Sequence, residues 1–144
     1  MICLEPSKGL INGRKINLTT DANNYAFEDN DNTLICGHGG GDTIRGGNGD
    51  DVIEAGGTIA SDINGGNGDD RLIGSEGDDL IRGGNGDDIL IGLGGNDTLQ
   101  GGTGKNLFIT GIDDKSISCN HDEVVGVEDS YNIVFFKENI EKYT

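Results

Sequence analysis

Between Gly37 and Ile109 a nine-residue unit recurs eight times. From Gly65 onward the chain reads GGNGDDRLI, GSEGDDLIR, GGNGDDILI, GLGGNDTLQ and GGTGKNLFI. Upstream stand GHGGGDTIR, GGNGDDVIE and, after one extra residue (Ala55), the degraded copy GGTIASDIN. The template is G-G-x-G-x-D-x-U-x, where U is a large aliphatic residue. A period this short dictates a stacked architecture, because one unit cannot bury its own apolar side and neighbouring copies can.

Within each copy the first six residues are expected to form a turn and the last three a short strand. Glycines at the first, second and fourth positions permit left-handed backbone and leave carbonyls exposed. The eighth positions are Ile44, Ile53, Ile63, Leu72, Ile81, Leu90, Leu99 and Phe108, one inward apolar residue per strand. Side chains alternate across a strand, so the seventh and ninth positions point outward. Two units make one coil, and successive coils place parallel strands about 4.8 Å apart. The fold expected is all-β, a right-handed parallel β-roll (β-solenoid) with N- and C-terminal capping segments. Its divisions are an N-terminal cap with a degenerate repeat (1–36), the roll (37–109) and a β-rich C-terminal cap that holds a possible export signal (110–144).

Composition bears on what holds such a roll together. The 144 residues include 27 glycines, and 26 acidic against 10 basic residues give a formal charge of −16. Glycine loses the most backbone entropy on ordering, and like charges repel in a compact state. Cations that neutralise the acids resolve that conflict. The acidic balance argues against nucleic acid as a partner, and no apolar run is long enough for a membrane span. MICLEPSKGL lacks the apolar stretch of a cleavable signal. Cys3, Cys36 and Cys119 lack C-x-x-C spacing and read as free or partly buried thiols, with a Cys3–Cys36 bridge as the alternative.

The repeat resembles the RTX family of calcium-binding nonapeptide β-rolls, and the resemblance covers Gly37 to Ile109. It implies that Ca²⁺ lies between turns one coil apart. The ligands implied are the sixth-position aspartates of both turns and backbone carbonyls, including those of Gly47, Gly49, Gly66, Gly68, Gly77, Gly84, Gly86 and Gly95. Calcium accepts such all-oxygen sets. Alternate copies stack, so the sixth positions sort into two columns: Asp42, Ser61, Asp79, Asp97 and Asp51, Asp70, Asp88, Asn106. Three sites are complete on this reading (Asp51 with Asp70, Asp70 with Asp88, Asp79 with Asp97). Three more, Asp42/Ser61, Ser61/Asp79 and Asp88/Asn106, are weakened, so up to six ions are expected. Asp62 could swing in where Ser61 has replaced the ligand. The fifth-position acids Asp50, Asp69, Asp78 and Asp87 are expected to face solvent.

The outward positions differ between the two sheets. One carries Thr43, Arg45, Asp62, Asn64, Leu80, Arg82, Thr98 and Gln100; the other carries Val52, Glu54, Arg71, Ile73, Ile89, Ile91, Leu107 and Ile109. An apolar strip of that kind is normally covered. The C-terminal segment is the expected cover, with a homodimer or another partner on Val52, Ile73, Ile89, Ile91, Leu107 and Ile109 as the alternative. No catalytic constellation stands out: His38 sits at a turn position and His121-Asp122-Glu123 reads as a solvated loop, so an enzyme is not expected. The resemblance implies a secreted calcium-responsive module that leaves a bacterium by a type I route and folds outside the cell. The three cysteines depart from the family's usual composition. The alternatives are a carbohydrate-associated module, with Arg45 and Arg82 as the hint, and an ice-binding or adhesin surface on Asn48, Asn67, Asn85 and Thr103.

Overall fold

A computed structural model describes residues 14–26, 30–110, 116–118, 123–128 and 131–136. In chain order the strands are β1 (Arg14–Asn17), β2 (Asn24–Ala26), β3 (Thr33–Cys36), β4 (Thr43–Asn48), β5 (Val52–Glu54), β6 (Asp62–Asn67) and β7 (Arg71–Ile73). They continue as β8 (Leu80–Asn85), β9 (Ile89–Ile91), β10 (Thr98–Thr103), β11 (Leu107–Thr110), β12 (Ser116–Ser118), β13 (Glu123–Glu128) and β14 (Tyr131–Phe136). Among the described residues there is no helix. The chain alternates between two sheets, ordered β1-β3-β5-β7-β9-β11-β13-β14 and β12-β10-β8-β6-β4-β2. Every pairing is parallel except β13 with β14. This is the parallel β-roll that the nine-residue period predicts.

The eighth positions are the core. Ile44, Ile53, Ile63, Leu72, Ile81, Leu90, Leu99 and Phe108 are all fully buried in one cluster. Burying a side chain of this size stabilises by about 1.5–3 kcal/mol. The inserted Ala55 joins the same cluster, which is how the coil absorbs an extra residue without losing phase.

The two sheets are built from strands of different length. In the six-stranded sheet β4, β6, β8 and β10 each run six residues, through the first three positions of the following copy. In the other sheet β5, β7 and β9 are three residues long. The expected division into a six-residue turn and a three-residue strand therefore holds on one sheet only. The Gly-Gly-Asn steps have little intrinsic strand preference. Pairing of Gly47 with Gly66 and of Gly66 with Gly84, and of Asn48 with Asn67 and of Asn67 with Asn85, draws them into the ladder.

The coil also starts earlier than the glycine pattern. Tyr25 pairs with Ile44 and Ile35 with Ile53, while Ile16 pairs with Ile35. These residues occupy eighth positions in turns that lack the repeat's glycines. At the other end β12 and β13 add parallel strands to β10 and β11, and β14 closes the stack antiparallel. The described C-terminal strands thus cap the end of the roll, edge to edge, instead of lying across the apolar outer face. On that face Val52, Ile73, Ile89, Ile91, Leu107 and Ile109 are each half-buried by their ladder neighbours. Cys36 is fully buried and disulfide-bonded, so the free-thiol expectation fails for it. Cys3, Cys119 and the His121-Asp122-Glu123 segment up to Asp122 lie outside the described residues.

Candidate metal centre

The turns stack as the register requires, and the sixth-position side chains bind one another's backbone. Asp51 N–H donates to Asp70 Oδ1 (2.8 Å), Asp70 N–H to Asp88 Oδ1 (2.9 Å) and Asp88 N–H to Asn106 Oδ1 (2.8 Å). In the other column Asp42 N–H donates to Ser61 Oγ (3.1 Å), Ser61 N–H to Asp79 Oδ1 (2.7 Å) and Asp79 N–H to Asp97 Oδ1 (2.8 Å). Both columns assigned from the sequence are therefore real. Each extends one step upstream, through Thr33 N–H to Asp51 Oδ1 (2.8 Å) and Asn23 N–H to Asp42 Oδ1 (2.9 Å). Asn23 and Thr33 are sixth-position residues that the glycine template misses. Their signal is the apolar spacing of Ile16, Tyr25, Ile35 and Ile44.

One carboxylate oxygen of each aspartate is spent on this ladder. The second, Oδ2, is buried in Asp42 and Asp70 and accepts no hydrogen bond; the Oδ2 atoms of Asp51, Asp88 and Asp97 are buried likewise. A buried anionic oxygen without a donor is costly unless a cation meets it. The ionisation equilibria register that cost. Burial, reinforced by the charges of Asp51, Asp88 and Asp50, pushes the Asp70 carboxyl up to about 8. Burial raises Asp42 and Asp79 too, against hydrogen bonds from Asn23 to Asp42 and from Ser61 and Ser75 to Asp79.

The glycines are required for two distinct reasons. Gly47, Gly49, Gly66, Gly68, Gly84 and Gly86 have φ between 111° and 136°, a region closed to most side chains. A Cβ on Gly66 or Gly84 would also fall on the carbonyl oxygen of Gly47 or Gly66, and one on Gly68 or Gly86 on that of Gly49 or Gly68. The second- and fourth-position carbonyls therefore form two files along the stack. First-position glycines obey another rule. Gly37, Gly46, Gly65, Gly74 and Gly83 do not have positive φ; a Cβ there would strike Oδ2 of the aspartate in the same turn. That side chain folds back over the turn, which the expectation of left-handed backbone at the first position did not foresee.

The donor set tests well for a hard cation. Among the described residues no three His, Cys, Asp or Glu side chains converge on one point. Any ion here must therefore combine carboxylates of adjacent coils with backbone carbonyls, and calcium, with six to eight oxygens, accepts such a set. The Asp51 column, with Gly47, Gly49, Gly66, Gly68, Gly84 and Gly86, offers it in uniform turns.

The Asp42 column is irregular. His38 and Leu93 hold positive φ (62° and 78°) where the other column has glycine. Gly95 keeps φ 91°, but Gly77 is not left-handed, and a Cβ on it would meet Ala60 N at 2.5 Å. Ile59, at a fourth position, is exposed. Asp62 does not replace the missing ligand: it faces outward, with Arg82 Nη1 donating to its Oδ1 at 2.6 Å. That pairing also removes Arg82 from the basic strip suggested for carbohydrate, leaving exposed Arg45. Ser75, unnoticed in the sequence, is fully buried and bound to Asp79.

The exposed third-position row is ordered. Asn67 Nδ2 donates to Asn48 Oδ1 (2.6 Å), Asn85 Nδ2 to Asn67 Oδ1 (2.7 Å) and Thr103 Oγ1 to Asn85 Oδ1 (2.9 Å). Beside it Asp50, Asp69 and Asp87 are exposed, as is Asp78 in the other column, all as expected. His38 is exposed as well, its Nε2 3.2 Å from Asn17 Oδ1.

A family model described as the RTX calcium-binding nonapeptide repeat (4 copies) matches residues 37–58, 64–99 and 91–114, together about half of the chain. No curated protein and no solved structure matches it. No helix among the described residues is long and apolar enough to cross a membrane.

Proposed function

Because the chain belongs to the family of RTX calcium-binding nonapeptide repeats, we propose that it is a module whose folding is driven by calcium outside the cell. The observation that carries this reading is the buried aspartate ladder. Asp70 has one oxygen tied to Asp51 N–H and a second, buried oxygen that accepts no hydrogen bond. Its carboxyl is pushed up to about 8, so the metal-free roll must hold a proton there or suffer repulsion. An ion between coils removes both costs, with Asp51, Asp70 and Asp88 as carboxylate ligands and glycine carbonyls as the remainder. Asp42, Asp79, Asp97 and Asn106 are the corresponding candidates elsewhere. Bound calcium supplies the positive charge that lets these carboxylates stay ionised inside the roll.

Folding and binding are then one equilibrium, as in other small metal-dependent domains. Extracellular calcium modules have dissociation constants of about 10⁻⁴–10⁻³ M, which separates cytosol from exterior. The disulfide at Cys36 supports an oxidising compartment. Export unfolded by a type I route, followed by folding on arrival, unites these features. The test is far-UV circular dichroism of the full chain titrated with calcium after chelation. The β signal is expected to rise with calcium; a signal that is complete in chelator and unmoved by calcium rejects the proposal.

A further inference from the structure

We infer that calcium enters only the Asp51–Asp70–Asp88 edge of the roll, and that Ser75 closes the opposite edge by taking the place a cation would hold at Asp79. This inference rests on the calcium reading above and narrows it to one of two turn columns.

The two columns differ at Asp79 in what meets the second carboxylate oxygen; Asp42 Oδ2, in the same column, is buried and accepts no hydrogen bond, as in Asp70. At Asp70 no hydrogen bond reaches Oδ2. At Asp79 the Ser75 N–H donates to Oδ2 at 2.6 Å, and Ser75 Oγ lies 3.1 Å from Oδ2 and 3.0 Å from Oδ1. The Ser61 N–H completes the set at Oδ1, 2.7 Å away. Ser75 Oγ in turn accepts the Gly77 N–H at 3.0 Å and stands 3.1 Å from the Ile59 carbonyl oxygen. The Asp79 carboxylate thus meets two N–H dipoles with their positive ends inward, and the single Ser75 hydroxyl proton lies within reach of both it and the Ile59 carbonyl. Those donors favour its charged form in part, and they direct protons at lone pairs a cation needs.

The rest of that column removes the remaining openings. Asp42/Ser61 and Ser61/Asp79 each offer a hydroxyl where a second carboxylate is needed, and Asp79/Asp97 shares the occupied Asp79. Ser75 stands at a second position, where the regular column has glycine with φ above 90° (Gly47, Gly66, Gly84, Gly102); Ser75 has no such φ. Its carbonyl therefore does not join a file like that of the other edge. On the regular edge Asp51/Asp70 and Asp70/Asp88 each pair two carboxylates across uniform glycine turns.

Calorimetric titration of the chelator-stripped full chain with calcium alone tests this through stoichiometry. Asp70→Asn is expected to lose two ions and Asp79→Asn none. Ser75→Gly restores the repeat's glycine, frees Asp79 Oδ2 and is expected to gain one ion between Asp79 and Asp97. Ser75→Gly keeps a result in hand if Asp70→Asn does not fold. Equal losses from Asp70→Asn and Asp79→Asn, or an unchanged count in Ser75→Gly, overturn the one-edge assignment while leaving calcium binding intact. A wild-type chain that takes up no calcium overturns both.

Discussion

Asp70→Asn should raise stability without calcium and reduce the stability that calcium adds. Asparagine fits the site, since Asn106 holds the equivalent place in the last copy and accepts the same bond from Asp88 N–H at 2.8 Å. Without metal, an ionised Asp70 would face Asp51 and Asp88 one coil away on either side. At about 4.8 Å and an effective dielectric of about 20, each neighbour costs about 3.5 kcal/mol, roughly 7 in total. Taking up a proton is cheaper. With a carboxyl at about 8 in the roll and 3.8 in the unfolded chain, protonation at pH 7 costs at most about 4 kcal/mol. Solvent screening lowers this to roughly 2–4 kcal/mol, which a neutral asparagine recovers. With calcium a loss opposes that gain, because Asp70 serves two intervals. At 10 mM calcium and dissociation constants of about 10⁻⁴–10⁻³ M each ion contributes about 1.4–2.7 kcal/mol, so the variant loses roughly 3–5 kcal/mol of calcium-dependent stability. Urea unfolding followed by circular dichroism measures both, with sucrose added in chelator to bring the metal-free transition into range. A variant less stable than wild type in chelator, or one that gains as much stability from calcium as wild type does, refutes the reasoning.

Two further outcomes follow from the same ladder. Asp42, Asp70 and Asp79 all have carboxyls raised above 3.8, so their contribution to the metal-free fold is complete below that value and is lost as pH rises through the folded-state values, about 8 for Asp70. In chelator the β signal should therefore grow between pH 8 and pH 4, and a decline across that window contradicts the assignment. Gly65→Ala should destabilise by about 1–3 kcal/mol through overpacking against the Asp70 carboxylate, since Gly65 is not left-handed. A Gly65→Ala/Asp70→Ala cycle should show that cost largely relieved, and additive effects would place the Asp70 side chain elsewhere.

The inward row was legible because one apolar residue per nine tolerates only one phase, and every member from Ile44 to Phe108 is buried. The two columns were legible for the same reason: the ladder bonds span 18 residues, or 19 where Ala55 intervenes. What was hidden depends on contacts one coil away. Gly46-Gly47-Asn48 reads as a turn, yet its strand character comes from pairing with Gly66 and Asn67. The early coil was read only as a degenerate repeat within the N-terminal cap, because a glycine template cannot see Asn23 or Thr33. The first-position glycines were explained by backbone freedom, whereas the aspartate five residues onward is the cause. Ser75 went unnoticed in the sequence, and only its distance to Asp79 shows what a serine at that position does.

A shared ion and a local hydrogen bond place different demands on a repeat. An ion between coils draws ligands from two turns, so a change at Asp70 damages the intervals on both sides. That coupling keeps neighbouring turns alike, and the Gly47/Gly49, Gly66/Gly68 and Gly84/Gly86 turns share one backbone geometry. The bond from Ser75 to Asp79 spans four residues and satisfies a carboxylate within its own turn. An edge held that way can vary one turn at a time, as the Ser75 turn does. The opposite edge carries such exceptions: His38 and Leu93 in left-handed backbone, Ile59 for glycine, Ser61 for aspartate and Ser75 for glycine. The cost of that independence is regular carbonyl files, and with them the capacity to hold calcium. The regular edge keeps that capacity, which places the folding switch on Asp51, Asp70 and Asp88.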